Sequence, residues 1–461
     1  MRRIPIRIRT LIAIIVAIAF IVGAVFYIKS RPVVALRTLF TLPGYCNYFS
    51  EDGSLIVVHE SLGPGSGISI NDTKFGTALL HLSPLPSGTS LGSSGISFSS
   101  DSAFVGASKK GIYDLRNGQL ALALSSDSYW FSPDSRFVAT SADGVYELAS
   151  GKKVVSVDGS IQGVFSHDSH YVALVGDRVG ATVYDLTSGQ RVFSDPRQKQ
   201  SGVAASFSPD GKYLAVVNDG LYQVATGKEI VQTSDIVFTS DSALAGTLNG
   251  VFDLTSGKRI LPETMAKDSD MASSYFTNDG QYAVIQTIES ATTPSGDVQI
   301  TTVYDIQTRK PLIQIKAPDN GKLIYPEVVL SPDGQSLALW QDGVYDVASG
   351  KKRFSIDAKT STYFPYLWHP SFSFSQDNSV LFDPNVGAYD VHTGNLRFGM
   401  GVLGYASNDG RLISDDKGLL DFATGVRLAD GEVYFSPNGN KIAIYSKTKA
   451  GCTVAEAEPA G

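Results

Sequence analysis

The sequence has few of the residues on which small secreted folds and metal-built folds depend. Its 461 residues include 2 cysteines and 6 histidines, which excludes a disulfide framework and argues against a Cys/His zinc module. Charged residues make up only 18%, whereas hydrophobic residues make up 43% and include 23 Phe and 21 Tyr. A chain this apolar and aromatic is not disordered, and its length suits two or three ordinary domains or one large repeat array.

Motifs of catalysis and cofactor binding are also missing. No nucleophile elbow, no phosphate-binding Gly-Lys-Ser/Thr loop, no His-Glu-x-x-His, and no Gly-x-Gly-x-x-Gly between a strand and a helix stands out. We therefore predict no catalytic residue, no cofactor and no metal site, and a protein that is not an enzyme. An enzyme whose site is assembled from loops of several repeats stays open, because residues far apart in sequence leave no motif.

Acidic residues are absent from the first 31 positions, which contain six basic residues. The remaining 32 basic and 45 acidic residues give the rest of the chain a net charge of -13. A body this acidic is repelled by phosphate backbones, and it has no basic run with interleaved aromatic residues. Nucleic acid is excluded as an expected partner.

The first 31 residues have the features of a membrane anchor. Leu11 to Ile28 form a run of 18 residues without a charged or strongly polar side chain, and as a helix this run would be about 27 Å long, close to the hydrocarbon thickness of a bilayer. Arginines concentrated before the run favour a cytoplasmic N-terminus and a body outside the cytoplasm. A cleaved signal peptide and a buried core helix are the two alternatives. We expect residues 1–31 to be a transmembrane helix with a short basic tail, and residues 32–461 to be a separate region.

One short pattern recurs eleven times in that region. It consists of an aromatic residue, a serine or threonine, any residue and an aspartate. The eight clear copies begin at Phe49, Phe98, Phe131, Phe165, Phe207, Phe238, Phe276 and Phe374, and the three weaker copies begin at Leu330, Ala406 and Phe435. Eleven copies in 430 residues give about 39 residues each, close to the ~40–45 of a four-stranded propeller blade.

A second signature follows most copies, as in Gly250-Val251-Phe252-Asp253-Leu254, and it usually ends in Ser-Gly or Thr-Gly. Ser-Pro-Asp-Gly at 208–211 suits a type I turn. Asp-Gly pairs such as Asp219-Gly220 and Asp342-Gly343 suit tight hairpins that need a positive φ. Each repeat is predicted to be a meander of four strands, A to D.

The pattern resembles the WD40-like β-propeller family, including the related repeats marked by Phe-Ser-Pro-Asp-Gly. The resemblance covers nearly all of 33–461 and implies an all-β ring of four-stranded blades that holds partners. The sequence lacks Gly-His before strand A and has Tyr-Asp or Phe-Asp in place of Trp-Asp, so we expect aromatic packing and aspartates that form turns. Because about eleven blades exceed the usual ~4–8 per ring, one large ring and two smaller rings both stay open.

The two ends of the repeat region are expected to share a blade. The last repeat, ending at 453–461, lacks a strand D, and Val33 to Leu39 can supply it, which would remove a sheet edge. This closure places Cys46 and Cys452 at the same face of neighbouring blades. They form either a disulfide, which requires an oxidising compartment, or two packed free thiols.

Longer connections mark one face as the candidate working face. In a meander, the A-to-B and C-to-D turns share one face and the B-to-C and D-to-A connections share the other, where all the longer loops fall. Loops on a rigid scaffold are common binding sites. The loop 357–370 offers the aromatic residues Tyr363, Phe364, Tyr366 and Trp368, which are our candidates for contact with a partner; packing of some of them under the loop is the alternative.

These observations predict a membrane-anchored β-propeller scaffold that lies outside the cytoplasm and binds a protein or cell-envelope component through its loop-rich face. Two alternatives are an extracytoplasmic sensor that signals through the helix and an enzyme with a site built from several loops. The short basic tail counts against the sensor, because ten residues are too few for an output domain.

Overall fold

The computed structural model describes residues 34–60, 67–82, 95–126, 128–142, 144–157, 161–176, 180–195, 204–233, 236–247, 250–261, 273–277, 280–289, 298–318, 328–339, 342–356, 373–383, 387–399, 405–415, 417–448 and 450–459. The predicted anchor, 1–31, lies outside these ranges. Within them, no α-helix has the length and apolar character needed to cross a bilayer.

The described residues form 43 β-strands in eleven antiparallel sheets. Ten sheets have four strands, and the sheet of blade 10 has three, with its inner position taken by a single bridge between Ala406 and Ile413. Numbered from the first complete repeat, blades 1 to 4 consist of β2 (Tyr45–Phe49), β3 (Leu55–His59), β4 (Ile68–Asp72), β5 (Ala78–Leu82); β6 (Ile96–Phe98), β7 (Phe104–Ala107), β8 (Gly111–Asp114), β9 (Gln119–Ala123); β10 (Tyr129–Phe131), β11 (Phe137–Thr140), β12 (Gly144–Glu147), β13 (Lys153–Ser156); β14 (Gln162–Phe165), β15 (Tyr171–Gly176), β16 (Gly180–Asp185), β17 (Arg191–Asp195).

The remaining blades repeat the same four-strand order. Blades 5 to 8 consist of β18 (Ala205–Phe207), β19 (Tyr213–Val216), β20 (Gly220–Gln223), β21 (Lys228–Val231); β22 (Ile236–Phe238), β23 (Leu244–Thr247), β24 (Gly250–Asp253), β25 (Lys258–Leu261); β26 (Ser273–Phe276), β27 (Tyr282–Glu289), β28 (Val298–Asp305), β29 (Lys310–Pro318); β30 (Val328–Leu330), β31 (Ser336–Leu339), β32 (Gly343–Asp346), β33 (Lys352–Ser355). Blades 9 to 11 consist of β34 (Ser373–Phe374), β35 (Val380–Asp383), β36 (Gly387–Asp390), β37 (Leu396–Gly399); β38 (Leu412–Ser414), β39 (Gly418–Asp421), β40 (Arg427–Asp430); β41 (Glu432–Phe435), β42 (Ile442–Ser446), β43 (Gly451–Pro459) and β1 (Val34–Pro43).

The blades close into one ring. Eleven hydrophobic clusters join consecutive blades, each with buried residues from two neighbouring sheets. The last of them packs Ala443 and Val454 of blade 11 against Ile56 and Val58 of blade 1. Because this series returns to its starting blade, the eleven repeats form a single eleven-bladed propeller.

Strands B and C form the packed interior of each blade. The strand B segments of blades 2, 3, 5, 6, 8 and 9 are buried along their whole length, because both faces of a blade meet a neighbour. Such strands read as continuous apolar runs instead of alternating ones. The innermost strands are half-buried, as in β6, β10 and β30, since they border the centre of the ring.

The recurring Ser-x-Asp forms the A-to-B turn, as predicted. In blade 2, Ser99 Oγ donates to Asp101 Oδ1 at 2.7 Å and accepts from Phe104 N at 2.9 Å, while Ala103 N donates to the same Asp101 oxygen at 3.0 Å. The residue after this aspartate, which is Asn438 in blade 11, has a positive φ in every blade; these residues are Gly53, Ser102, Ser135, Ser169, Gly211, Ser242, Gly280, Gly334, Asn378, Gly410 and Gly439.

Where this residue is not glycine, its side chain bonds to the preceding blade. Ser135 Oγ accepts from Asp101 N at 3.1 Å, and the same contact recurs between Ser169 and Asp134, between Ser242 and Asp210, and between Asn378 and Asp333. At the closure, Asn438 Nδ2 of blade 11 donates to Asp52 O of blade 1 at 2.6 Å. Hydrogen bonds between the turns therefore connect neighbouring blades at several boundaries.

The N-terminal strand completes the last blade, as the sequence predicts. β1 pairs antiparallel with β43 from Val34 opposite Pro459 to Pro43 opposite Gly451, with a bulge between Thr38 and Phe40. The start of β1 is held by blade 10, because Val34 N donates to Asp421 Oδ2 at 3.1 Å. Blade 11 thus has a pairing partner on both sides of β43.

Candidate functional site

The two faces of the ring differ in their connections. The A-to-B and C-to-D turns form one face, here called the turn face, and they are short throughout the described blades. The B-to-C and D-to-A connections form the other, here called the loop face, and they include the long segments between β5 and β6, β25 and β26, and β33 and β34. The strand order therefore places the longer connections on one face.

The four aromatic candidates lie on one of these connections. Tyr363, Phe364, Tyr366 and Trp368 are between the end of β33 at Ser355 and the start of β34 at Ser373. They fall outside the described residues, so their role in binding stays a prediction.

A cluster of polar and aromatic side chains lies on the loop face where the ring closes. We define the closure cluster as Tyr45, Glu432, Tyr434 and Lys447. Tyr45 begins the inner strand of blade 1, Glu432 begins the inner strand of blade 11, and Lys447 follows β42. These positions are all at the loop-face end of their strands, so the closure of the ring brings together residues 387 positions apart.

Hydrogen bonds and an ion pair centre on the carboxylate of Glu432. Tyr45 Oη donates to Glu432 Oε2 at 3.1 Å, and the hydroxyl groups of Tyr45 and Tyr434 are 2.5 Å apart. Lys447 Nζ lies 3.0 Å from Glu432 Oε1. The lysine side chain is 75% exposed and the glutamate side chain 38% exposed, so solvent and partners reach both groups.

These contacts shift the pKa values of the side chains in the closure cluster. Burial tends to raise the pKa of Glu432, but hydrogen bonds from Lys447 and Tyr45 outweigh it, and the pKa is lowered overall. The pKa of Tyr45 is raised, first by burial and then by its hydrogen bond with Tyr434. The pKa of Lys447 is raised by its bond to Glu432. Near neutral pH the cluster therefore holds a carboxylate, an ammonium group and neutral phenols.

Further side chains form the walls of the cluster. The rings of Tyr445 and Tyr45 meet edge to face, with centroids 4.6 Å apart at 79°. His59, paired with Tyr45 across the strands, is buried, and burial lowers its pKa, so it is neutral and adds no positive charge. Tyr405, 57% exposed, comes from the inner position of blade 10.

A disulfide between Cys46 and Cys452 lies directly behind the closure cluster, with the two Cα atoms 5.6 Å apart. Cys46 follows Tyr45, and Cys452 is opposite Leu42 of β1 and opposite Tyr445 of β42. Both cysteines are fully buried among the side chains that join blades 11 and 1. The bond therefore covalently fixes the strands that carry the cluster.

The described residues also contain a cavity and a buried polar group away from the closure cluster. A cavity of about 290 Å³ lies along the inner strands of blades 7 to 9 and is lined mainly by apolar side chains, including Phe276, Leu330 and Phe374. At the loop face of blades 4 and 5, Tyr222 Oη lies 2.8 Å from Asp195 Oδ2 and 2.6 Å from Asp219 Oδ2, and all three residues are buried. Neither feature adds a reactive group that is open to a substrate.

Among the residues that the structure describes, no group of three or more His, Cys, Asp or Glu side chains could hold a metal ion. His170, on the turn face, pairs with Asp185 at 3.2 Å.

The sequence predicts that the first and last repeats share a blade, but no motif marks the closure cluster. The signal was present as Gly44-Tyr45 at one end and Gly431-Glu432-Val433-Tyr434 at the other. Each stretch is ordinary for an inner strand, and only the closure makes them neighbours.

Comparison with known proteins gives distant similarities. No protein-family model matches the chain. The chain is 32% identical over 125 residues to autophagy-related protein 18 of Scheffersomyces stipitis, which is 26% of this chain and 21% of that protein. The match thus spans about a fifth of that relative's length. A crystal structure of a eukaryotic initiation factor is similar with a TM-score of 0.42 and 14% identity, covering 67% of this chain and 89% of that one. The assignment of the fold rests on the eleven sheets and their closure.

Proposed function

We propose that the propeller is a non-catalytic scaffold that holds a protein or cell-envelope partner on its loop face. The observation that carries this proposal is the closure cluster, an accessible set of aromatic and charged side chains on a rigid rim beside the longer loops. Tyrosine contributes large contact area with little loss of side-chain entropy, and it is enriched where proteins bind partners. The scaffold is rigid at this rim because a disulfide and a shared blade hold it.

We also propose that residues 1–31 attach the propeller to a membrane, with the ring outside the cytoplasm. The evidence for the anchor is the charge-free run Leu11 to Ile28. β1 begins at Val34 on the turn face, where Asp421 holds it. A transmembrane anchor that precedes β1 would join the propeller at its turn face. The turn face would then lie towards the membrane, and the loop face would point away from the lipid. This arrangement supports a partner that approaches from outside the membrane.

Photo-crosslinking in cells tests the binding face. p-Benzoylphenylalanine is introduced at Tyr405 on the loop face and, as a matched control, at Phe75 on the turn face; the native side chains are 57% and 71% exposed. Adducts with a protein or envelope component at 405, and none at 75, are expected. Adducts at 75 alone would overturn the assignment of the loop face.

A second variant tests the aromatic loop. Replacing Tyr363, Phe364, Tyr366 and Trp368 by serine and glycine is expected to reduce the adduct formed at position 405. An unchanged adduct in a variant that still folds would contradict the role of this loop in binding.

Protease shaving of intact cells tests the location of the propeller: cleavage within 261–274 or 357–370 is expected without lysis. Protection that is lost only on lysis, and in a bacterium with two membranes only after the inner membrane is breached, would contradict the proposed orientation.

A further inference from the structure

We infer that the closure cluster binds an ammonium group from a lysine side chain of the partner, and that Lys447 occupies this place in the free protein. This inference rests on the proposed function and names the chemistry that the rim recognises.

The first step of the argument is the carboxylate. Glu432 accepts a hydrogen bond from Tyr45 and lies within 3.4 Å of the Tyr434 hydroxyl. The phenols orient the carboxylate but supply no full positive charge. A positively charged donor is the group that such an acceptor binds most strongly, because charge-assisted hydrogen bonds are stronger than neutral ones.

The second step is the aromatic surroundings. Tyr45 packs edge to face with both Tyr434 and Tyr445, at centroid distances of 6.3 Å and 4.6 Å. Edge-to-face packing turns ring faces of the cluster in different directions. The face of an aromatic ring attracts a cation, and aromatic rings beside a carboxylate are a recurrent way to bind ammonium groups. Tyr405, on the neighbouring blade, adds an exposed ring.

The third step is that Lys447 already pairs with the carboxylate of Glu432. Lys447 places its ammonium group 3.0 Å from the carboxylate of Glu432. Because the lysine side chain is 75% exposed, it is held mainly by the ion pair. Exposed ion pairs contribute little to stability, so a partner's lysine can displace this one without unfolding any strand.

The charge of the whole region favours such a partner. Residues 32–461 carry a net charge of -13, which attracts basic proteins over long distances. Long-range attraction alone does not identify a site, so the test must separate the cluster from the general acidity.

The chain offers a closely matched control. Lys212 and Asp210 on the turn face form an ion pair with the same 3.0 Å separation, and their side chains are 73% and 30% exposed. The variants K447Q and K212Q remove the same charge from similar surroundings. The variants E432Q and D210N form the second matched pair.

The probe is fluorescein-labelled hexalysine, and its binding to the full-length protein is measured by fluorescence anisotropy at physiological ionic strength. We expect K447Q to bind about two- to fivefold more tightly than K212Q, since it removes the competing lysine. We expect E432Q to bind about tenfold more weakly than D210N. Equal affinities within each pair would show that only bulk charge acts and would overturn the inference.

Two further arms identify the source of the ammonium group. Nε-acetylated hexalysine is expected to lose the K447Q effect, and vesicles of phosphatidylethanolamine are expected not to compete; competition by the vesicles would overturn the choice of a protein partner. Because K447Q alters an exposed side chain, it tests the site even where E432Q disturbs folding. If the K447Q and E432Q effects are absent while crosslinking at position 405 persists in E432Q, this inference fails and the scaffold function stands.

Discussion

Eleven residues in equivalent turns share the left-handed backbone conformation, and five of them are not glycine. Serine or asparagine at such a position is strained by about 1 kcal/mol relative to glycine. Ser135, Ser169, Ser242 and Asn378 each accept a hydrogen bond from the preceding blade. The gain of a bond between blades accounts for a residue that the local backbone disfavours.

Two substitutions at Ser135 separate these effects. S135A loses the bond from Asp101 N and keeps the strain, whereas S135G loses the bond and relieves the strain. We expect S135A to be less stable than S135G by about 1 kcal/mol. Urea denaturation measures the difference, and S100A, at an exposed serine, is the control that should leave the midpoint unchanged. Equal midpoints for S135A and S135G would contradict this explanation.

At the scale of the strand, glycine begins most C strands because strand D passes close to it. The sequence predicts Asp-Gly hairpins with a positive φ, which is confirmed for Gly144 and wrong for Gly220 and Gly343; in the hairpin before Gly220, Asn218 is in the left-handed region instead. A Cβ atom at Gly220 or Gly343 would lie 2.8 Å or 2.4 Å from a carbonyl oxygen of strand D. Close packing between strands, and not turn conformation, selects glycine there.

A comparison of two glycines tests this reading. At Gly343, which has no positive φ, a Cβ atom would lie 2.4 Å from Phe354 O, whereas at Gly118, in a C-to-D turn with a positive φ, its nearest contact is 3.8 Å away. G118A suffers backbone strain alone, about 1 kcal/mol. We expect G343A to lose clearly more, about 3 kcal/mol, because two backbone segments must move apart. Thermal unfolding of both variants measures this, and similar losses would refute the packing argument.

The A-to-B turns also make stability depend on pH. Burial tends to raise the pKa of Asp101, but hydrogen bonds from Ser99 Oγ and Ala103 N outweigh it and the pKa is lowered; the pKa values of Asp52, Asp168, Asp210, Asp241 and Asp409 are also lowered. In acid, the unfolded chain therefore binds more protons than the folded chain. The stabilisation is present above about pH 4, the pKa of an unperturbed aspartate, and is lost as the pH falls through the lower folded-state values.

Blade 11 provides a natural control for this prediction, because Asn438 occupies the aspartate position and accepts the same bonds from Ser436 Oγ and Asn440 N. We expect D101N to keep the fold and to lose less stability than the wild type between pH 5 and about pH 3. Urea midpoints across this range measure the slope. An unchanged slope in D101N would show that Asp101 does not contribute.

At the scale of the whole molecule, eleven blades leave a wide centre. With facing sheets about 10 Å apart, eleven inner strands lie on a circle with a radius of roughly 17 Å. The exposure of Val237, in the inner strand β22, agrees with a centre open to solvent. A ring this wide has little packing across its middle, so it depends on the contacts between neighbouring blades and on the closure.

Breaking the disulfide tests how much the closure contributes. We expect the C46S/C452S variant to be less stable by about 2–5 kcal/mol, because the unfolded chain is no longer constrained. Calorimetry of the wild type with and without reductant should reproduce the loss, and C46S/C452S should not respond to reductant. Intact mass of the native protein, with and without reductant, establishes whether the bond forms in cells; free thiols in that measurement would remove the basis of this prediction.

The blades could be predicted from the sequence because their hydrogen bonds are local. Ser99, Asp101 and Phe104 bond within five residues, so each repeat records its own turn. A single ring could not be distinguished from two, because the same repeats serve both; the answer lies in Ala443 packing against Ile56 across the whole chain. Tyr45 and Glu432 could not be recognised as neighbours for the same reason.

The disulfide also gives the molecule an unusual covalent topology. Cys46 and Cys452 are 406 residues apart, so backbone and disulfide together form a macrocycle that includes nearly all the blades. A protease that cuts one loop of the loop face between the two cysteines opens this macrocycle but releases no fragment, because the disulfide still joins the two pieces. Such nicked protein runs as one species on a non-reducing gel and as two on a reducing gel, and it keeps every blade in place.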